Sequence, residues 1–173
     1  INKLQAVPYS LFSKNALHST YADTAFYVKS TGDKTIKLEF GPTGSISTNN
    51  ASGYTVSDLS KSLLDFNLSN YQDVASISFC AIAKTDNSSN NFIIDLIDLN
   101  TNQIISNSTI TGNNSNYQLL KSSNLIDDIP QTSTNLGVRI KSVNGQDYVS
   151  LQKVYLVIQK ELNNTTPQSV TIK

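Results

Sequence analysis

From Lys34 onward apolar and polar positions alternate. Ile36, Leu38 and Phe40 share one parity and Lys37 and Glu39 the other, which predicts a strand that stops at Gly41-Pro42. A second run covers Leu63–Leu68, with Leu64, Phe66 and Leu68 on one face. A longer one covers Tyr71–Lys84. Ala75, Ile77, Phe79, Ala81 and Ala83 face one way there, and Ser76, Ser78 and Lys84 the other. The polar stretch from Thr85 to Asn90 turns the chain. Phe92–Leu99 is apolar on both faces apart from Asp95 and Asp98, the pattern of a central strand. Asn100-Thr101-Asn102 is expected to turn it into a hairpin partner over Gln103–Ile110. Tyr117–Leu120 and Leu136–Ile140 follow, the latter with Leu136, Val138 and Ile140 inward and Arg139 and Lys141 outward. Asn144-Gly145 tolerates positive φ at both residues and predicts a hairpin into Asp147–Gln159.

That last run changes phase. Val149 and Leu151 share one parity, and Val154, Leu156 and Ile158 the other. Either a β-bulge near Gln152-Lys153 restores the face, or both faces are covered. About eight strands with regular turn signals and no useful helical run predict an all-β antiparallel sandwich. A jelly roll is the first expectation and an immunoglobulin-like sandwich the second, since Trp is absent and Cys single. The expected core joins Ala75, Ile77, Phe79, Leu136, Val138, Ile140, Leu156 and Ile158. The sandwich is expected over residues 30–160, behind a linker or stalk over 1–29 and ahead of a polar tail, 161–173, that ends in a short strand.

Composition narrows the functional classes. Charged residues are only 15% of the 173, and 13 basic side chains offset 13 acidic ones. No basic field exists to draw phosphate backbones, so nucleic acid is not an expected partner. No stretch approaches the roughly 18 consecutive apolar residues of a membrane span, so membrane insertion is not expected. Low charge with abundant Ser, Thr and Asn fits a secreted β-protein. The chain holds no Met, and it is expected to be a piece of a longer protein whose upstream part carries any export signal.

Catalytic constellations are missing. Cys80, the single cysteine, lies in a strand-like run and is expected to be a buried filler rather than a nucleophile. His18, the single histidine, is far from it in sequence. No G-x-S-x-G elbow is present, and Gly41-Pro42-Thr43-Gly44 lacks the Lys and helix of a phosphate loop. Asp127 and Asp128 are adjacent, and adjacent strand residues point apart, so a solvated loop suits them better than a glycosidase pair. Asp98, Asn100 and Asn102 have the spacing that opens a calcium loop. Gln103 stands where that loop needs Gly, and Thr109 where it needs Glu, so an Asn-rich turn without metal is preferred. No cofactor and no enzymatic activity are expected. Asn50, Asn67, Asn87 and Asn107 sit in N-x-S/T triplets, which this Asn- and Ser-rich composition produces by itself.

Four tyrosines, Tyr54, Tyr71, Tyr117 and Tyr148, lie near strand ends or loops among Asn and Ser. A flat amphipathic ring stacks on a sugar or protein surface while neighbouring amides exchange hydrogen bonds, so these four are the candidate ligand contacts. Tyrosines packed at sandwich edges would look the same.

The N-terminal zone reads differently. Small residues recur at a step of three: Ser10, Ser13, Ala16, Ser19, Ala22 and Ala25, then Val28. An α-helix turns about 100° per residue, so this stripe would wander around it. A conformation with three residues per turn, or a strand in a three-chain fibre, keeps it straight. Self-association through Ala16, Ser19, Ala22 and Ala25, as a homotrimer, is the expectation, with a short helix or an extended linker as alternatives. Leu4-Gln5-Ala6-Val7-Pro8-Tyr9-Ser10-Leu11-Phe12-Ser13-Lys14-Asn15-Ala16 resembles the L-x-x-V-P-Y-A-x-x-A-x-x-A stretch of secreted multidomain proteins of Bacteroidetes, tail-fibre-like chains among them. Ser10 and Ser13 stand where Ala is more usual. The resemblance covers residues 1–28 and implies export and a surface or fibre role; it supplies no catalytic residue.

Two functions compete. One is a non-catalytic extracellular structural or adhesive module, the distal part of a surface or fibre protein, contacting a glycan or a protein. The other is a carbohydrate-binding accessory module of a secreted carbohydrate-active enzyme. The partners implied are copies of the chain, neighbouring domains of the same protein, and a glycan or surface protein.

Overall fold

The computed structural model describes residues 35–42, 44–56 and 61–161. Among these residues the chain makes eleven strands and a 3-10 turn. The strands are β1 (Thr35–Phe40), β2 (Ile46–Thr48), β3 (Tyr54–Val56), β4 (Leu63–Phe66), β5 (Val74–Thr85), β6 (Phe92–Asp98), β7 (Gln103–Ile104), β8 (Ile110–Gly112), β9 (Gln118–Lys121), β10 (Thr134–Ser142) and β11 (Val149–Lys160). All pairings are antiparallel. The first sheet runs β1-β11-β5-β9, with β2 also on β11. The second runs β3-β10-β6-β7, with β4 also on β10 and β8 also on β6.

β1 and β2 run the same way along β11, β3 and β4 along β10, and β7 and β8 along β6. Each pair acts as one interrupted strand. Counted so, about eight strands remain, as the alternation predicted, in the orders 1-8-3-6 and 2-7-4-5. First pairs with last, second with next-to-last, and so on inward. A long antiparallel hairpin rolled on itself gives this nesting, which is the jelly roll.

The core lies between the sheets. Ile77, Phe79, Leu136, Val138, Ile140, Leu156 and Ile158 join one buried cluster there, as the alternation predicted. Ala75 does not, and it is exposed. Ser76 pairs with Gln159 and Val74 with Lys160, so Ala75 is an extra residue squeezed from the ladder. Val74 takes the inward position instead. β4 departs in the same way. Leu63 and Phe66 are both buried, while Leu64, expected inward, is 37% exposed. Asp65 has φ 50°, and the register slips between Thr134 and Leu136, so the period of two fails.

Two turns also differ from expectation. Asn144-Gly145 makes no hairpin: β10 belongs to the second sheet and β11 to the first, so the turn crosses between sheets. A type I′ hairpin needs positive φ at both central residues. Gly145 has φ 70°, whereas Asn144 is not left-handed. Its side chain instead accepts hydrogen bonds from the N–H groups of Gln146 and Asp147. The partner strand expected over Gln103–Ile110 is broken into β7 and β8. Between them Asn107 takes φ 57°, and the Ser108 hydroxyl both accepts from the Leu96 N–H and donates to the Leu96 carbonyl, filling the gap in the ladder.

Candidate functional site

Strand directions sort the loops to two ends. β1 starts at Thr35 opposite Gln159, and β11 ends at Lys160, so the first and last described residues share one end, here called basal. Residues 67–73, 99–102 and 122–133 turn at that end as well. At the opposite, apical end lie residues 49–53, 86–91, 113–117 and 143–148. Those four loops contain Asn49, Asn50, Asn87, Asn90, Asn91, Asn113, Asn114, Asn116 and Asn144. Their charged residues are Asp86 and Asp147, with no Lys, Arg or His.

Tyr54, Tyr117 and Tyr148 belong to this end: Tyr54 opens β3, and the other two close apical loops. All three rings are substantially exposed, Tyr148 the most at 49%. Tyr117 is partly engaged. Its hydroxyl shares a 2.9 Å hydrogen bond with Ser45 Oγ, and Lys84 Nζ stands 5.4 Å from its ring centre. Tyr71 is separate. It follows the basal 3-10 turn, is half-buried, and stacks on Phe66 with ring centres 5.8 Å apart. Burial accordingly raises its pKa. The structure therefore brings three of the four candidate tyrosines to one end and gives the fourth a packing role.

The apical loops are tied to one another. Asn90, almost fully buried, donates from Nδ2 to Ser142 Oγ at 3.1 Å and accepts on Oδ1 from the Asn144 N–H. Ser142 Oγ donates onward to the Asp147 carbonyl at 2.8 Å. Asn144 Nδ2 and Asn87 Nδ2 both donate to Asp147 Oδ2, at 2.6 and 3.2 Å. Asn114 Nδ2 donates to the carbonyls of Ala83 and Asn116, and its own carbonyl accepts from the Thr85 N–H. The Ser142 N–H donates to the Asn50 carbonyl, the Val143 N–H to Asn91 and the Asp86 N–H to Tyr148. Loops that are neighbours only in space thus hold one another. Side chains on such a platform lose little freedom when they bind.

The other candidates fall elsewhere. Asp98, Asn100 and Asn102 form the basal turn between β6 and β7. Asp98 Oδ1 accepts from the Asn100 N–H at 2.8 Å and from Thr134 Oγ1 at 2.6 Å, and Asn102 closes the turn at φ 56°. Burial pushes the Asp98 pKa up, but hydrogen bonds from the Thr134 hydroxyl, the Asn100 and Thr101 N–H groups and the Thr101 hydroxyl outweigh it, leaving it lowered. Among the described residues no group of three His, Cys, Asp or Glu is placed to hold a metal ion. Asp127 is exposed, and both oxygens of Asp128 accept from Asn107 Nδ2. Cys80 is buried, as expected, though its cross-strand neighbours are Tyr155 and Lys121 on the outer side of the sheet rather than the inter-sheet core. His18 and the stalk candidates Ala16, Ser19, Ala22 and Ala25 lie outside the described residues.

Asp95 is a polar centre that sequence reading marked only as an interruption. It is buried, pairs through Oδ2 with Arg139 Nε and Nη2 at 3.0 and 2.7 Å, and accepts on Oδ1 from Thr109 Oγ1 at 2.7 Å. The sequence read the apical network only as separate turns. Nothing local says which turns share an end.

No family model matches this chain, and no curated protein does. Among solved structures, a family two carbohydrate esterase from Cellvibrio japonicus is similar at 15% identity and a TM-score of 0.33. The match covers 74% of this chain and 35% of that one. The chain therefore spans about a third of that structure's length, and a likeness at this level carries no inference about activity.

Proposed function

We propose that this chain is a non-catalytic recognition module of an extracellular surface or fibre protein, and that it contacts a glycan with its apical loops. The supporting observation is that exposed Tyr54, Tyr117 and Tyr148 belong to the same end as cross-linked, asparagine-rich loops, away from Thr35 and Glu161. Aromatic rings cover the apolar face of a sugar ring, and amides donate to and accept from its hydroxyls. Residues 1–34 join the sandwich at the basal end, so a trimeric stalk through residues 1–29 would leave the apical loops facing outward. An accessory module beside a catalytic domain would use the same surface. It would differ in what the rest of the protein contains.

The test is binding of the 173-residue chain to a broad saccharide panel, followed by calorimetry on any ligand found. Saturable binding that Tyr148→Ala weakens while the fold is kept supports the proposal. No binding to any saccharide overturns its glycan part.

A further inference from the structure

We infer that the apical site selects an uncharged saccharide and anchors it on the Asp147 carboxylate. This rests on the glycan reading above and adds the class of sugar and the residue that holds it.

The first argument is charge. An acidic sugar, whether a uronate, a sialate or a sulfate ester, needs a cation or an array of free donors in its site. The four apical loops contain none of Lys, Arg and His, and two carboxylates, Asp86 and Asp147. On the adjoining strands Arg139 is forked onto Asp95, and Lys84 stands 5.4 Å from the Tyr117 ring centre, so the part of the end without a cation in its own loops is the one around Asp147 and Tyr148. Lys141 stands on the outer face of the second sheet, opposite Ile93. An anion brought to Asp147 would meet a like charge there, with Asp86 in a neighbouring loop, and pay for losing its hydration.

The second argument is the state of Asp147. Its Oδ2 accepts two amide hydrogen bonds, one from its own loop and one from the loop of Asn87. These fix the carboxylate plane. No hydrogen bond from the described residues reaches Oδ1, and the residue is half-exposed. A carboxylate oxygen has two lone pairs and accepts only, so a held and unoccupied one suits two neighbouring hydroxyls of a sugar ring. Charge-assisted bonds of this kind are about twice as strong as neutral ones. The next residue is Tyr148, the most exposed ring of the apical end.

The deciding experiment sets neutral saccharides against acidic counterparts of the same backbone, with the 173-residue chain as the binder. Binding to neutral members and not to their acidic counterparts is expected. Asp147→Asn keeps the shape and removes the charge, and should weaken binding roughly 10- to 100-fold. Lys141→Ala should leave it unchanged. If Asp147→Asn does not fold, Asp147→Glu keeps the charge but displaces it, and should also weaken binding. Equal or tighter binding of the acidic members would overturn the inference while leaving the glycan reading intact. So would undiminished affinity in a folded Asp147→Asn. An absence of binding to every saccharide would overturn the glycan reading itself.

Discussion

Leu151 and Val154 both point into the core, although they are three residues apart on one strand. In a regular strand such residues face opposite ways. Ala83 opposes Leu151 and Ile82 opposes Lys153, so Gln152 is the extra residue of a bulge. Gln152 itself is exposed. Gln152→Ala should therefore change stability by no more than about 0.5 kcal/mol. Deleting Gln152 should leave Leu151 and Val154 two positions apart on a regular ladder, so that Val149, Leu151, Val154, Leu156 and Ile158 all stay inward and the variant still folds. Urea unfolding of the two variants checks this; a deletion variant that loses most of the domain's stability would show that Gln152 is not the residue the bulge adds.

The turn at Asn144-Gly145 gives a second expectation. Asn144 Oδ1 accepts from the Gln146 and Asp147 N–H groups and its Nδ2 donates to Asp147, so the side chain shapes the crossover between sheets. Asn144→Ala should cost about 0.5–2 kcal/mol, the range for losing a side-chain cap. Gly145→Ala should also destabilise, since φ is 70° and a Cβ there would come within 3.1 Å of the Ala51 Cβ. Equilibrium denaturation midpoints decide both. If Gly145→Ala were stabilising, the turn conformation described above would be wrong.

The same region shows where sequence reading stops. Alternation read Ile36 to Phe40, Leu136 to Ile140 and the two halves of β11 correctly, because inward faces are set by a local period of two. It misread Leu64 and Ala75, because a bulge moves parity by one and leaves no residue signature as plain as Gly or Pro. The phase change in β11 was legible only because long apolar runs flank Gln152 on both sides. Asn144-Gly145 carried a hairpin signal, yet the choice between pairing and crossing depends on which strand β11 finds, and β1 and β5 flank it. The candidate site was half legible for the same reason. Tyr54, Tyr117 and Tyr148 could be named one by one. Their shared end, and Tyr71's absence from it, follow from the nesting of first strand with last. Nothing local marks the Asp147 carboxylate, since its holders Asn87 and Asn144 are 57 positions apart from one another in sequence and meet only in the fold.

Asp98 should make stability depend on acid. Its folded pKa is lowered from 3.8 because hydrogen bonds from Thr134, Asn100 and Thr101 outweigh the raising effect of burial. A depressed carboxylate adds stability that is present above its unfolded pKa and is lost as pH falls through the folded value. Denaturant midpoints should therefore drop on acidification below about pH 4, the unfolded carboxylate range. Asp98→Asn should be less stable at neutral pH and show a shallower acid loss. A variant with an unchanged acid profile would assign the effect to other carboxylates.

Cys80 should react slowly in the native protein. It is buried, and burial raises its pKa despite the opposing charges of Lys121 and Lys37. The thiolate is the reactive form, so both access and ionisation hold the rate down. Labelling by a thiol reagent should be slow at neutral pH, faster at alkaline pH, and fast in urea. A native rate equal to the urea rate would place Cys80 at the surface.

Assembly is the expectation that the described residues leave open. Thr35 and Glu161 share the basal end, and residues 1–29 carry small side chains at a step of three, Ala16, Ser19, Ala22 and Ala25 among them. If that line packs three chains together, three sandwiches would stand side by side on one stalk with their apical loops exposed. Weak single sites would then add: linked binding raises avidity by about 10²–10⁴ where the geometry lets the sites engage together. Solution mass should show a trimer for the whole chain and a monomer for a version lacking residues 1–29. Ala22→Glu should separate the trimer while leaving the β spectrum unchanged. Binding to a multivalent saccharide surface should fall in the truncated form far more than binding to the free sugar. Two monomers at high micromolar concentration would exclude the stalk contact for this chain.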